Sequence, residues 1–465
     1  MHKSCETIES EVSSDVIPVG QMEGGLPTVN DSSSEFKKSE LGMIPKDWNV
    51  IQIGSSNPFV TSGSRGWARF YSESGSTFLR ITNLSRRSIQ MNLEDLKYVA
   101  LPSEGFAETE RTGVQNGDLL ISITADIGIV GYVDDSVPKP AFLNQHIALV
   151  RFNPAKVSGK FAAYYLASEQ PQRHFLASMD IGAKAGMNLT TIKKLQLALP
   201  RLDEQCAIAT ALTDADGLIE ALDRLIAKKR AIKKAAMQQL LTGKTRLPGF
   251  DLKWKKTRLG NHVIFLKTGT NSRAELTQGD TVSYLHYGDI HGASLVQLDA
   301  SSLAMPRLPD AKASSLPRLQ TGDLVFVDAS EDLDGVGKSI EISAIPSGGL
   351  VAGLHTIAAR FDKAILADGF KGFLQFCPAF LNTLRRLAAG TKVLATNRRH
   401  IEEVEMLLPS TEEQSSIAKV LSDMDVEIEA LKRRRDKAQQ IKRGMVQQLM
   451  TGRIRLMKAV ESQNI

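Results

Sequence analysis

Two histidines and an aspartate lie within the hexapeptide HYGDIH, which runs from His286 to His291. Imidazole and carboxylate groups are common zinc ligands, and a zinc site needs at least three of them at fixed geometry. The flanking pattern is typical of a turn that follows a strand, which does not fix ligand geometry. We therefore predict a polar turn here and no metal site.

Nucleotide and cofactor chemistry can be tested against known loop patterns. The segment DGVGKSI, beginning at Asp334, resembles a phosphate-binding loop, but Asp332 stands where the first glycine of that loop is required. The SIEIS that follows is typical of a strand, whereas a phosphate-binding loop opens a helix. No glycine-rich dinucleotide fingerprint and no Asn/Asp-Pro-Pro-aromatic motif of amino-methylating enzymes occurs. We predict no cofactor site in this chain.

Paired carboxylates, which could serve as general acid and base, occur at Asp214/Asp216 and again at Asp423/Asp425. Acid–base catalysis needs such groups within reach of a bound substrate. Both pairs lie in segments of helical periodicity, and no cleft accompanies them. We interpret them as a solvated helix face or a partner contact, and we predict no catalytic residue.

Polar loops with basic residues carry the remaining candidate chemistry. Arg, Lys and Asn side chains can hydrogen-bond to base edges, and Lys and Arg also neutralise phosphates. Loops are polar in most proteins, so an ordinary surface remains the alternative for each residue. The candidate DNA contacts are Ser64, Arg65, Arg69, Arg80, Arg86 and Arg87 in the first half of the chain, and Lys267, Asn271, Arg273, His286 and Tyr287 in the second.

The elements that must position these loops occur twice. Leu199–Leu247 aligns without a gap on Leu408–Leu456 at an offset of 209, and 24 of the 49 positions are identical. At the same offset His146 aligns with His355, and shorter matches continue upstream. Such a duplication predicts two related structural units, each followed by a similar segment.

Each duplicated segment has the heptad pattern of a long helix. The first, Gln205–Leu241, would form a rod of about 55 Å. Ser410 and Glu413 suit a capping box, and Gly243 and Gly452 suit helix ends in the left-handed conformation. The predicted seam residues are Ile208, Leu212, Ile219, Leu222 and Ile226 in the first helix, and Ile417, Leu421, Met424, Ile428 and Leu431 in the second.

One such helix cannot bury its seam alone, but two helices in one chain can bury each other. The pattern favours an antiparallel pair; the alternative is that each helix packs on its own unit. The units show strand-like runs with Gly/Asp turns, and helices are predicted from Phe161 and from Phe370. The predicted fold class is α+β, with two domains separated by two long antiparallel helices that form a coiled-coil-like spacer, in a pseudo-twofold internal repeat.

The N-terminal residues differ in composition from the rest of the chain. Residues 1–40 carry three lysines against eight acidic residues, so their net charge is −5 while the other residues carry +10. We predict a disordered extension, with a short capping strand as the alternative. The predicted boundaries are 1–39 for this extension, 40–200 and 246–409 for the two domains, 201–245 and 410–457 for the helices, and 458–465 for a tail.

Cellular setting can be inferred from composition. Three cysteines lie far apart, and no apolar run is long enough to span a membrane. We expect a cytoplasmic protein without membrane contact. The basic body of the chain suits a polyanionic partner, although many ordinary proteins are as basic.

The sequence resembles the specificity subunits of Type I restriction–modification systems. The resemblance covers about residues 39–457 and rests on SELGMIPKDW, on an LPxxxEQxxIAxxL helix start and on a QQLLTGKxRL helix end, the last two occurring twice. It implies two target-recognition domains that each read half of a split, asymmetric DNA site. The acidic extension departs from the family pattern.

The resemblance also implies the partners. These are double-stranded DNA, two methyltransferase subunits docked on the helices, and motor-endonuclease subunits. S-adenosylmethionine, ATP and Mg are expected only on those partner subunits, so this chain would hold no cofactor. Two alternatives remain: a non-catalytic coiled-coil scaffold that joins two protein-binding domains, and an enzyme with an unrecognised site in the units.

Overall fold

The computed structural model describes residues 35–101, 107–177, 186–330, 332–333, 335–388 and 394–456. The predicted tail and residues 1–34 of the predicted extension lie outside these ranges. The end of the extension was predicted wrongly, because Phe36–Ser39 forms strand β1 and pairs antiparallel with β2, Gly42–Pro45. Ile44 and Pro45 of this hairpin are buried, and burial together with backbone pairing orders the segment.

The chain divides into two compact units. Unit 1 comprises residues 1–221 and 435–465, and unit 2 comprises residues 222–434. Helices α5 (Leu202–Leu240) and α10 (Thr411–Met450) therefore contribute one part to each unit. None of the helices in the described ranges combines the length and apolarity needed to cross a membrane.

Unit 1 contains twelve strands within its described residues. Strands β4, β11, β8 and β9 form an antiparallel sheet in that order, and β10, β6, β7 and β5 form a second sheet in which β10 and β6 are parallel. Beyond β1 and β2, the strands are β3 (Asn49–Gln52), β4 (Phe59–Ser62), β5 (Tyr71–Ser72), β6 (Ser76–Leu79), β7 (Lys97–Val99), β8 (Leu119–Ser122), β9 (Val130–Tyr132), β10 (Ala141–Leu143), β11 (Ile147–Arg151) and β12 (Gln196–Leu199), and the helices are α1 (Ala107–Thr112), α2 (Gly159–Ala167), α3 (Glu169–Ala177) and α4 (Leu189–Lys194).

Unit 2 repeats this plan. Its main sheet has the order β14-β22-β18-β20-β16, and its second sheet, β17-β15-β21, again contains one parallel pair. The elements are β13 (Lys255–Arg258), β14 (Val263–Leu266), β15 (Val282–Leu285), α6 (Tyr287–Gly292), β16 (Gln297–Asp299), β17 (Arg307–Leu308), α7 (Asp310–Ala313), β18 (Leu324–Val327), β19 (Ala329–Ser330), β20 (Ser339–Ala344), β21 (Leu350–Ala352), β22 (Thr356–Phe361), α8 (Pro378–Leu387), β23 (Leu394–Ala395), α9 (Arg398–Glu402) and β24 (Glu405–Leu408).

Strand periodicity places two cores on opposite faces of each main sheet. In β8, Leu119 and Ile121 pack in the core that includes α2, whereas Leu120 packs in the core of the second sheet. In β18, Leu324 and Val325 divide in the same way. Successive side chains of a strand point to opposite faces, so a fully apolar strand joins two cores.

Three local predictions were wrong for identifiable reasons. The helix predicted from Phe161 breaks at Ser168, whose extended backbone ends α2 before α3 begins. The helix predicted from Phe370 is a 3-10 turn followed by α8, because Pro378 cannot continue a helix and instead starts one. HYGDIH forms α6, because Asp289 caps the backbone of His286.

In each unit the two long helices run antiparallel and share a buried ion pair. In unit 1, Lys442 of α10 lies 2.5 Å from Asp216 of α5, and Tyr164 of α2 donates a 2.7 Å hydrogen bond to the same carboxylate. In unit 2, Lys233 of α5 lies 2.5 Å from Asp425 of α10. The second aspartate of each Asp-x-Asp pair thus contacts the other long helix and does not lie on a solvated helix face.

In each unit, an arginine that follows the end of one long helix binds a glutamate in the first turn of the other. We call this contact the Arg–Glu clasp. In unit 1, Arg455 donates to both carboxylate oxygens of Glu204, at 2.7 and 2.8 Å, and to Asp47 at 2.6 Å. In unit 2, Arg246 donates to both oxygens of Glu413, at 2.5 and 2.6 Å. A bidentate pair of this kind fixes both distance and orientation.

The capping box predicted for Ser410 and Glu413 forms only in part. The Ser410 hydroxyl accepts from the Glu413 backbone N–H at 3.4 Å, which is half of the box. The carboxylate of Glu413 is instead held by Arg246 and, at 3.3 Å, by Trp254. The left-handed helix ends were predicted correctly, since φ is 68° at Gly243 and 65° at Gly452.

The seam residues occupy two environments. Near the helix ends they enter the domain cores: Ile208 and Leu212 pack with the core of unit 1, and Ile417 and Leu421 with that of unit 2. Between these ends the seam is less uniform in burial. Leu222, Ile226 and Ile428 are buried, and Ile219, Met424 and Leu431 are half-buried.

Candidate nucleic-acid interface

In each unit, one strand of the second sheet is followed by a turn with the same hydrogen bond. After β6, the Asn83 side chain accepts a hydrogen bond from the Arg80 backbone N–H at 2.9 Å. After β15, the Asp289 side chain accepts from the His286 backbone N–H at 3.0 Å. One scaffold position therefore carries an arginine in unit 1 and a histidine in unit 2.

A glycine lets a further loop approach the second sheet closely in each unit. A Cβ on Gly63 would lie 2.1 Å from the backbone oxygen of Asn144, and one on Gly269 would lie 2.8 Å from the Tyr284 ring. These distances are shorter than any normal contact, so each position requires a residue without a side chain. The loops that follow carry the predicted contacts Arg65 and Asn271.

The predicted residues of unit 1 differ in accessibility. Arg65, Arg69 and Arg87 are exposed, with the Arg69 guanidinium 4.7 Å from the centre of the Phe70 ring. Ser64 is only 2% exposed, which leaves a ligand no access to it in this conformation.

Two further arginines of unit 1 are engaged in bonds within the unit. Arg80 donates to the Asp95 carboxylate at 2.8 Å, and this hydrogen bond lowers the pKa of Asp95 below its ordinary value. Arg86 donates to Gln172 and to the backbone oxygen of Ile127, each at 2.8 Å, and also bonds Asp126. A DNA contact by either arginine would compete with these bonds.

The predicted residues of unit 2 form two polar pairs. The Asn271 amide donates to Glu275 at 2.9 Å, and Arg273 lies 3.1 Å from Asp289. The hydrogen bond from the Ser272 backbone, followed by that from Asn271, lowers the pKa of Glu275 to about 2. This carboxylate is therefore charged at neutral pH and helps to hold the loop.

The other three predicted residues of unit 2 range from exposed to buried. Lys267 is exposed, and Tyr287 is 37% exposed. His286 is only 6% exposed, and burial lowers the pKa of its imidazole. The ring is thus neutral at pH 7, and access to it from solvent is limited.

The sequence interpretation missed one loop in each unit. The segment after β10 reaches the turn of unit 1, because the Asn144 N–H donates to the Leu79 oxygen at 2.9 Å. The segment after β21 does the same in unit 2, where the Gly353 N–H donates to the Leu285 oxygen at 2.9 Å. These loops carry His146 and His355, whose recurrence at an offset of 209 was the available signal.

Each unit thus gathers cations, amides and imidazoles on loops at strand ends. Such groups can donate to phosphate oxygens and to the acceptors of base edges. No group of three or more His, Cys, Asp or Glu side chains within the described ranges has the arrangement of a metal site.

Comparison with known proteins shows which proteins this chain is similar to. A family model described as the Type I restriction modification DNA specificity domain matches residues 88–228. The putative type I restriction enzyme MjaX specificity subunit of Methanocaldococcus jannaschii is 25% identical over 449 residues, which cover 90% of this chain and 97% of that protein. The crystal structure of a Type I restriction–modification S subunit from M. genitalium matches with a TM-score of 0.55 at 15% identity, covering 86% of this chain and 96% of that one.

This chain is therefore similar in sequence and in fold to the specificity subunits of type I restriction–modification systems. The MjaVIII specificity subunit of the same archaeon is 28% identical to this chain over 224 residues, 46% of this chain and 50% of that protein. A chain from a structure on complex assembly and conformational transition of the type I R-M system shares the fold with a TM-score of 0.50 at 15% identity, covering 88% and 99% of the two chains.

Proposed function

We propose that this chain is the specificity subunit of a type I restriction–modification system, that it binds double-stranded DNA, and that each unit reads one half of a split, asymmetric target site. The observation that carries the proposal is that the two units share one scaffold but place different side chains at equivalent positions. Arg80 and His286 follow equivalent strands and are fixed by equivalent turns, yet they offer different groups to a ligand. A scaffold used twice with different chemistry suits two different base sequences.

The exposed cations support DNA as the ligand. Unit 1 presents Arg65, Arg69 and Arg87, and unit 2 presents Lys267 and Arg273. Guanidinium and ammonium groups on loops neutralise phosphates and release counterions, so binding should weaken as salt rises. The amide and imidazole groups beside them can supply contacts to base edges.

The long helices set the length of the unread spacer between the two half-sites in this proposal. Helices α5 and α10 are 39 and 40 residues long, and each contributes to both units. A helix advances about 1.5 Å per residue, so its length converts directly into a separation along the duplex.

Two methyltransferase subunits would dock on the helices. Equivalent positions of the two repeats remain exposed, as Ile232 and Ile441 are 45% and 51% exposed. Lys228 and Lys437, also equivalent, are exposed as well. Two like surfaces on one chain suit two copies of the same partner.

Catalysis would then take place on the partner subunits. The specificity subunit would be non-catalytic, with S-adenosylmethionine on the methyltransferase subunits and ATP and Mg on the motor-endonuclease subunits. Its own role would be to select the DNA that those subunits modify or cut.

An electrophoretic mobility shift of target-containing duplex DNA, with the methyltransferase subunits present, tests the proposal. We expect salt-sensitive binding, and exchange of residues 40–200 for the corresponding domain of another specificity subunit should change only one half-site. A complex that binds no duplex would favour a scaffold role. Turnover by the purified chain alone would favour an enzyme.

A further inference from the structure

Three imidazole rings surround the phenol ring of Tyr287 in unit 2. The ring centre of His286 lies 4.4 Å from that of Tyr287, and the ring centre of His291 lies 6.1 Å away. The third ring, His355, comes from the separate loop between β21 and β22 and stands perpendicular to Tyr287 at 5.5 Å. Two chain segments thus converge on one exposed aromatic side chain.

The backbone of His355 adopts an uncommon conformation. Its φ is 56°, in the left-handed region that favours glycine, and its side chain is 54% exposed. The equivalent His146 of unit 1 does not have a positive φ. A side chain held in this region on an exposed loop is typical of functional sites, where local strain persists because it aims a group at a ligand.

The half-buried carboxylate of Asp328 faces the His355 ring. Asp328 Oδ1 is a buried atom that lies 3.3 Å from His355 Nδ1 and accepts no hydrogen bond from the described residues. The Asp328 backbone N–H also donates to the His355 oxygen at 3.2 Å. Because Nδ1 is the ring nitrogen that faces this carboxylate, Nε2 is the one left for a ligand.

The remaining charged groups around the cluster are already paired. Arg273 lies 3.1 Å from Asp289, and the Lys338 ammonium donates to the backbone oxygen of His291 at 2.5 Å. His286 is buried, and its lowered pKa keeps it neutral at pH 7. Among the rings around Tyr287, His355 is therefore the more accessible candidate for a polar ligand.

We propose that His355 contacts a base edge of the DNA bound by unit 2 and determines one base pair of that half-site, with Tyr287 supporting its ring and Asp328 positioning it. This inference rests on the proposed function. An imidazole held by two neighbours has the fixed geometry that base-edge recognition needs, whereas long flexible cations suit phosphates. Unit 1 has Ile81 where unit 2 has Tyr287, so the cluster is particular to unit 2.

The test uses the complex of this chain with its methyltransferase subunits and duplexes in which each base pair of the target is replaced in turn. In His355→Ala, we expect discrimination at one base pair of the second half-site to fall about tenfold or more, because one base-edge contact has roughly that effect. Discrimination at the first half-site should not change. His146→Ala is the matched control and should leave the second half-site unaffected.

Further variants separate the role of His355 from damage to the fold. His355→Asn suits the left-handed backbone, since Asn tolerates it, and should also lose discrimination at the same base pair. Asp328→Ala should weaken that discrimination, whereas Asp328→Asn, which keeps an oxygen facing Nδ1, should retain most of it. Thermal unfolding should be unchanged in His355→Asn.

Three outcomes would overturn the inference. Unchanged discrimination at every base pair in both His355 variants would show that the residue reads nothing. A uniform loss of binding across all sequences would identify a phosphate contact instead. A wild-type complex that discriminates at neither half-site would contradict the proposed function itself, and this assignment with it.

Discussion

Lys442 and Asp216 form an ion pair in unit 1 with Nζ 2.5 Å from Oδ1, although 226 positions separate them in sequence. The pair is largely buried, with side-chain exposures of 14% and 9%. Tyr164 completes it by donating to the second carboxylate oxygen, and burial raises the pKa of that phenol, so the donor stays protonated. A paired charge between two helices is satisfied in one register only, so this contact helps to define the antiparallel alignment.

Loss of the lysine should be costly. Lys442→Ala leaves the buried Asp216 carboxylate without its cation, and we expect the free energy of unfolding to fall by about 3 kcal/mol. Urea denaturation at pH 7 measures the change. The double variant Asp216→Leu/Lys442→Leu removes both charges and should recover most of that loss; a double variant as unstable as the single one would contradict this reasoning.

The unit 1 clasp should stabilise the protein in a pH-dependent manner. Arg455→Ala removes hydrogen bonds to two carboxylates, and we expect a loss of about 2 kcal/mol at pH 7. The hydrogen bond from Arg455 lowers the pKa of Asp47 below 3.8. A carboxyl group whose pKa is lowered by folding stabilises the folded state at pH values above its pKa in the unfolded chain. This stabilisation is lost as the pH falls through the pKa of the folded state.

The measurement is therefore a series of urea denaturations from pH 7 to pH 3. The difference between wild type and Arg455→Ala should be largest near neutral pH and should narrow below pH 4. Arg246→Ala, in the equivalent clasp of unit 2, should lower stability by a similar amount at pH 7. A difference that widens with acidification would disprove the assigned role of Asp47.

Gly63, which precedes the loop that carries Arg65, should be essential for DNA binding and for stability. In Gly63→Ala, the added Cβ would meet the Asn144 oxygen at 2.1 Å, and backbone atoms must move to relieve the clash. We expect unit 1 to bind its DNA half-site more weakly, and the free energy of unfolding to fall by about 2 kcal/mol. DNA binding and thermal unfolding of the same preparation measure both effects.

A helical glycine provides the matched control. No heavy atom lies within 4 Å of a Cβ built on Gly217, which lies within α5. Gly217→Ala should therefore stabilise the protein by about 0.5–1 kcal/mol, because alanine loses less backbone entropy in a helix. Equal effects of the two substitutions would contradict the steric argument.

The duplication made the large-scale fold predictable. Two segments with one heptad register had to form two similar helices, and the glycines at positions 243 and 452 marked their ends. The Asp-x-Asp repeat was visible, but its role was not, because a sequence does not reveal that Asp216 meets a lysine on the other helix. Long-range partners of this kind arise from packing rather than from local pattern.

The recognition loops were predictable in place but less so in detail. Arg65 and Arg86 look alike in sequence and both are exposed, yet only Arg86 is seen bound to Gln172 and the Ile127 backbone. His286 was a candidate contact by residue type, but it is buried in the structure, whereas His355 is exposed. Residue type indicates what a loop can bind, whereas the fold decides which side chains reach a ligand.

The central claim is that two unequal units read two halves of one DNA site. Sequencing of modified bases in DNA methylated by the reconstituted complex tests it most directly. We predict a split, asymmetric motif with one methylated adenine on each strand, in which Arg65→Ala/Arg69→Ala relaxes only one half. A single uninterrupted motif, or relaxation of both halves by that double variant, would contradict the account.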